Sequence, residues 1–233
     1  MIRSAIKRDQ TTLIAYPKQA LFGRVLPKSK IYEHSGATTR LKNLFVEQVD
    51  QIVWQYKLAP ETVNLPARPG VAEIQIFSIQ LKSAELHEDV LRCIDSAVQF
   101  PTFFELIRGQ GDRAKTRVVA AYKRPGGVDA SSWVVTAYFA SDWVDAATTR
   151  VAMPLALDMA HLYSALLQSL LPLPSRPQEA LQDWVARIEL ADRKHREVEK
   201  TQARLAKEKQ FNRKVEINGI LRQLKTELEQ LCR

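Results

Sequence analysis

Six polar side chains between positions 54 and 75 could do chemistry together if a sheet brought them to one rim. Trp54, Tyr56, Lys57 and Glu61 lie on one segment and its exit, and Glu73 and Gln75 open the next. Lys82 ends that second segment, and Tyr122, Lys123 and Arg124 end a later one. Carboxylate oxygens hold hard divalent cations, and a neighbouring ammonium offsets the charge that develops on a phosphoryl oxygen. Glu61, Glu73 and Lys82 are therefore the candidate catalytic residues of a metal-dependent nuclease. One element of that chemistry is missing. Two residues before Lys82 the chain carries Gln80, so no acid-x-Lys lies on that strand. The alternative use is structural or binding: strand-end cations paired with Glu, and aromatic rings closing the edge of a core. That use is preferred.

Other catalytic signatures are absent. No P-loop, dinucleotide fingerprint, nucleophile elbow or H-E-x-x-H motif occurs. The histidines at 34, 87, 161 and 195 show no ligand spacing, so neither a metal site nor a cofactor is expected. Cys93 and Cys232 make no disulfide framework, which points to a reducing cytoplasm. Asp95, in the middle of a helical pattern, is read as a local hydrogen-bonding or salt-bridging residue. Phe100, Phe103 and Phe104 are read as core rather than as a base-stacking platform.

The elements that must position these residues follow from hydrophobic period. A helix begins near Thr39, with Thr38 or Thr39 as N-cap, and carries Leu41, Leu44, Phe45, Val49 and Ile52 on one stripe. Ile52–Leu58 and Glu73–Leu81 alternate as strands, and the second has apolar residues on both parities, so it is central and covered on both faces. Ser83 is expected to cap a helix running to about Gln99. Strands at Thr102–Ile107, Thr116–Tyr122 and Trp133–Phe139, split by glycine-rich turns including Arg124-Pro-Gly-Gly127, predict an antiparallel meander. A helix from Pro154 to Leu171 is predicted to carry Leu155, Leu162, Leu166 and Leu170 on its apolar stripe. The fold class is α+β, a mostly antiparallel sheet with packed helices, followed by a C-terminal helical or coiled-coil appendage. The divisions are a basic arm 1–38, a core 39–150, a helix and proline-rich break 151–177, and the appendage 178–233.

The appendage has no proline and one glycine, Gly219. Heptad spacing is clearest at Ile217, Leu221, Leu224, Leu228 and Leu231, a seam for a partner helix. The phase fails between Leu205 and Ile217, which predicts a break near 206–214 and either an antiparallel hairpin or one rod. The longest apolar stretch, 151–173, carries Asp158, His161 and Gln168, and reads as a buried helix rather than a membrane span.

Charge is uneven. Residues 1–30 hold seven Lys/Arg against one acid, 31–177 hold 14 against 15, and 191–214 hold nine against four. Basic ends on a neutral body favour polyanions. Lys28, Lys30, Lys123, Arg124, Lys207, Lys209, Arg213 and Lys214 are the candidate phosphate contacts.

Four blocks carry a family resemblance: Trp54-Gln-Tyr-Lys-Leu-Ala-Pro-Glu-Thr-Val-Asn-Leu65, Glu73-Ile-Gln-Ile-Phe77, Ala121-Tyr-Lys-Arg-Pro125 and Glu208-Lys-Gln-Phe-Asn-Arg-Lys-Val-Glu-Ile-Asn218. In this order they resemble the bacterial family described as domain of unknown function 4391. The resemblance implies a setting beside helicases and DNA methyltransferases of restriction-modification type, and hence an accessory role in anti-phage defence. It assigns no catalytic residue. The expectation is a non-catalytic subunit that docks a helicase or methyltransferase and contacts DNA without sequence preference. The alternatives are a metal-dependent nuclease and a structural homodimer joined through the tail.

Overall fold

The computed structural model describes residues 13–126 and 133–233. Residues 1–12 of the basic arm, and Gly127 of the expected turn, lie outside the described residues. The chain divides into two compact units, one extending to Leu170 and the other Leu171–Arg233.

The first unit contains, in chain order, β1 (Ile14–Ala15), β2 (Leu21–Val25), α1 (Lys28–Ser35), α2 (Thr39–Gln48), β3 (Val49–Leu58), α3 (Pro60–Val63), β4 (Ile74–Leu81), α4 (Glu88–Ala97), β5 (Thr102–Arg108), β6 (Lys115–Pro125), β7 (Trp133–Ala140), β8 (Val144–Asp145), β9 (Val151–Ala152) and α5 (Met159–Gln168). The main sheet runs β2-β3-β4-β5-β6-β7, with β8 added to β6. Its pairings are antiparallel except β4–β5. Parallel neighbours need a long crossover, and α4 supplies it. The chain is thus α+β with a mostly antiparallel sheet, and β5-β6-β7 form the expected meander.

Strand β4 is buried on both parities because it lies between two covered faces. On one face Phe77, Ile79 and Leu81 pack with Ile52, Phe104, Leu106, Val119 and the apolar sides of α2 and α4, including Phe45, Val90 and Ile94. On the other, Ile74, Ile76 and Phe103 are buried, and the ring of Tyr163 from α5 meets Phe103 edge-on at 6.0 Å. Thr38 caps α2, accepting from the Leu41 amide at 3.3 Å.

Several boundaries move for local reasons. The Ser83 hydroxyl donates to the Glu85 carbonyl oxygen, closing a turn, so α4 starts later with His87 as its cap. Strand β6 continues through Lys123–Pro125, which places these residues on a strand rather than on a turn. Helix α5 begins only at Met159, because the Asp158 carboxylate accepts from the His161 amide at 2.9 Å. Leu155 therefore lies outside the helix and is fully exposed, whereas Leu162, Leu166 and Leu170 are buried. Two pairings give no periodic signal. The β2 edge joins β3 through a register shift between Leu21 and Arg24, and β1 pairs in parallel with β9, setting Ile14 against Val151.

The second unit is a pair of helices, α6 (Leu181–Lys207) and α7 (Phe211–Cys232). The helices are antiparallel: Lys194 bridges to Glu227 at 2.9 Å, and the Arg187 guanidinium donates to the Leu231 carbonyl at 2.7 Å. The predicted break falls at residues 208–210. Trp184, Val185, Ile188, Ala191 and Val198 of α6 are buried, as are Ile217 and Leu221 of α7, while Leu224, Leu228 and Leu231 are half-buried. The apolar seam of α7 thus has α6 of the same chain as a packing partner.

Candidate functional site

The end of β3 and the start of β4 meet as the antiparallel register requires, with Lys57 opposite Gln75 and Trp54 opposite Phe77. A continuous polar chain follows. Trp54 Nε1 donates to Gln75 Oε1 at 2.7 Å, Gln75 Nε2 donates to Glu73 Oε2 at 2.9 Å, and Lys57 Nζ lies 2.8 Å from Glu73 Oε1. Glu61, on α3, reaches the same ammonium at 3.7 Å. It is placed there by a tight connection: the Thr62 hydroxyl accepts from the Ala59 amide at 2.8 Å and donates to the Lys57 carbonyl. The Glu73 hydrogen bond, together with the nearby negative charge, raises the Lys57 pKa above its ordinary value. Lys57 stays an ammonium.

This rim borders a cavity of about 480 Å³, whose walls include Leu26, Ile31, Trp54, Phe77, Ile94 and Phe100, with Lys30 and His34 contributed by α1 and Gln75 by β4. Its size and mainly apolar walls fit a small-molecule pocket. Gln75 is 1% exposed, and both ends of its amide are already engaged.

The structure brings Glu61 and Glu73 together but separates Lys82 from them. Lys82 follows the far end of β4 and donates to the Val46 carbonyl at 3.0 Å. The cation at the rim is Lys57, supplied by the neighbouring strand. A search along one strand for acid-x-Lys misses it because the two residues meet only through the β3–β4 register. Among the described residues no group of three or more His, Cys, Asp or Glu is arranged to hold a metal ion.

The candidate phosphate contacts separate by environment. Lys28 donates to the Phe45 and Val49 carbonyls at the end of α2, and burial pushes its pKa down. Lys30 pairs with Glu33 at 2.9 Å. Arg124 is half-buried on β6. Lys123, 1% exposed, bonds to Asp95 and to the Asp95 and Val98 carbonyls. The Tyr138 hydroxyl donates to the other oxygen of Asp95. Burial pushes the Asp95 carboxyl up and the Lys123 ammonium down, each against the attraction of the other. This is a structural network under the sheet.

Lys207, Lys209, Arg213 and Lys214 are exposed around the α6–α7 turn. Residues 200–214 carry six Lys/Arg and a single carboxylate, Glu208. That carboxylate turns inward: Glu208 Oε1 accepts from the Lys209 and Gln210 amides at 2.8 and 2.9 Å, which holds its pKa below the ordinary value. A shallow concavity of about 450 Å³ on the α6 side is lined by Lys200, Ala203, Arg204, Lys207 and Glu208.

One ion pair with a buried acid gave no sequence signal beyond a lone acid in an apolar strand. Glu105, 4% exposed in the centre of β5, takes both Nη atoms of Arg150 at 2.7 Å. A buried acid needs such a partner, but its identity 45 residues away is invisible in the sequence.

A family model described as Domain of unknown function (DUF4391) matches residues 14–228, nearly the whole chain. The chain belongs to this family. The match spans both the sheet unit and the helix pair, so the hairpin is as much part of the family's pattern as the polar rim. No curated protein and no solved structure matches the chain. Among the described residues no helix is long and apolar enough to cross a membrane.

Proposed function

We propose that this chain is a non-catalytic accessory subunit that holds a nucleic-acid backbone against the tip of the α6–α7 hairpin. In the defence setting implied by the sequence resemblance, its partner would be a helicase or DNA methyltransferase. The observation that carries the reading is the tip itself: six cations within fifteen residues, and one carboxylate consumed by backbone amides. Lys/Arg contacts to phosphates are sequence-independent and weaken steeply with salt. The test is duplex binding by the purified full chain at about 50 mM salt, read by mobility shift. Binding is expected and should be lost when Lys207, Lys209, Arg213 and Lys214 are replaced together by Gln. No binding at low salt sinks the backbone-contact reading. Co-purification of the tagged chain with a helicase or methyltransferase from its host tests the docking role separately.

A second reading rests on the rim, where Glu61 and Glu73 flank one ammonium. Two carboxylates with bound waters and a substrate phosphate suffice for Mg²⁺, and Lys57 would then offset the negative charge that develops on the phosphoryl oxygens as water attacks phosphorus and the sugar oxygen leaves. Plasmid nicking with Mg²⁺ or Mn²⁺, lost in Glu73→Ala and in Lys57→Ala, would promote this reading over the first. Unchanged plasmid under those conditions removes it.

A further inference from the structure

The hairpin tip carries a feature that cations alone do not explain. Phe211, the first residue of α7, is 78% exposed, and Val215 one turn later is 56% exposed. At 3.6 residues per turn, Phe211, Val215, Asn218 and Arg222 lie along one strip of α7, about a third of a turn from the buried Ile217 and Leu221. All four are exposed, and neighbouring Gly219 adds no side chain, with nothing within 4 Å of the position its Cβ would take. The strip is therefore apolar at its turn end, with Lys214 beside it and the cation Arg222 further along it. Apolar rings are normally buried, and pairing with α6 has left this one outside.

We infer that Phe211 is a stacking platform for an unpaired base, so that the hairpin tip selects single-stranded over duplex nucleic acid. This rests on the backbone-contact reading above and sharpens it. Charge complementarity points to a polyanion as the occupant: residues 200–214 around the turn carry six Lys/Arg and one carboxylate, tied to amides, and Glu216 is the next acid along α7. Within a duplex the base faces are stacked on one another. A strand without a partner offers both a phosphate row for Lys209, Arg213 and Lys214 and a free base face for the ring. Val215 extends the apolar surface by one turn, and Arg222 lies further along the same strip.

The experiment compares the full chain with Phe211→Ala and Phe211→Trp. The probes are a fluorescein-labelled oligothymidylate and a blunt duplex, read by anisotropy at low salt, with circular dichroism confirming helix content. Stacking on an aromatic side chain is worth enough per base that its loss weakens binding about tenfold. The expectation is that Phe211→Ala loses about that factor for the single strand and stays within about twofold for the duplex, while Phe211→Trp retains both. An equal loss for the two probes, or none for either, overturns the inference while leaving the backbone-contact reading standing. If the unmodified chain binds neither probe, both fall, and the exposed ring belongs to a protein interface.

Discussion

At the scale of single residues, Asp95 and Lys123 show how a chemically attractive pair can serve the fold. Both are almost completely buried, and each has the other and Tyr138 or backbone carbonyls as partners. Removing one member of a buried pair strands the other charge, at a cost of about 3–5 kcal/mol, whereas replacing both by apolar groups of similar volume is often neutral. Asp95→Ala is expected to destabilise by about that amount in urea unfolding, and the Asp95→Leu, Lys123→Met double variant to recover most of it. A double variant no better than the single would show that the pair is needed for more than mutual neutralisation. Asp95 was legible from sequence as a residue needing a local partner, but its main partner stands 28 positions away across a strand. Lys123 reads from sequence as a strand-end cation because the glycines after it suggest a turn. The strand continues through it, and alternation then carries it inward. Lys57 was legible as a rim residue, but not as the cation that Glu61 and Glu73 share, because its contact with Glu73 depends on the cross-strand register.

At the scale of elements, hydrophobic period located most strands and helices, including the pause between α6 and α7, since each has one apolar face. Caps were less legible. Ser83 and His87 compete within a few residues, and the backbone geometry decides between them. The helix pair is clamped at its open end by Arg187, 6% exposed, which bonds to Glu179 through Nε and Nη2 and to the Pro174 and Leu231 carbonyls. The Arg187 hydrogen bond is the main reason that Glu179 ionises at about 2 instead of 4.5. A carboxyl lowered on folding stabilises fully above its unfolded value and loses that contribution as pH falls through the folded value. The Glu179 contribution should thus disappear between about pH 4.5 and 2. In thermal melts the extra stability of wild type over Glu179→Gln should be present at pH 7 and shrink on acidification through that window. A constant difference would show that the clamp does not depend on charge. On α7, Gly219 has helical surroundings and open space where a Cβ would go. Gly219→Ala should raise stability by about 1 kcal/mol in denaturant unfolding, through helix propensity alone.

At the scale of the whole molecule, charge and topology act over distances that no single element spans. If the tip meets phosphates, duplex affinity should fall linearly on a log–log plot against salt, with a slope of about 0.9 per phosphate neutralised. Replacing Lys207, Lys209, Arg213 and Lys214 by Gln should then reduce the slope by about 0.9 for each one that touches a phosphate. A loss of affinity with unchanged slope would mean that they act indirectly. The α+β class was readable from the order of helical and alternating segments, but the β1–β9 pairing was not, because two residues make no pattern. That small ladder has a consequence for how the chain reaches its native state. The Val151 amide donates to the Leu13 carbonyl and Arg150 to that of Ile14, while the same guanidinium holds Glu105 in β5. The β1 segment can make this pairing only after the strand 137 residues later has been synthesised. Contacts so far apart in sequence close late and slow the search. During synthesis, the β1–β9 pairing waits until β2 to β8 have all emerged.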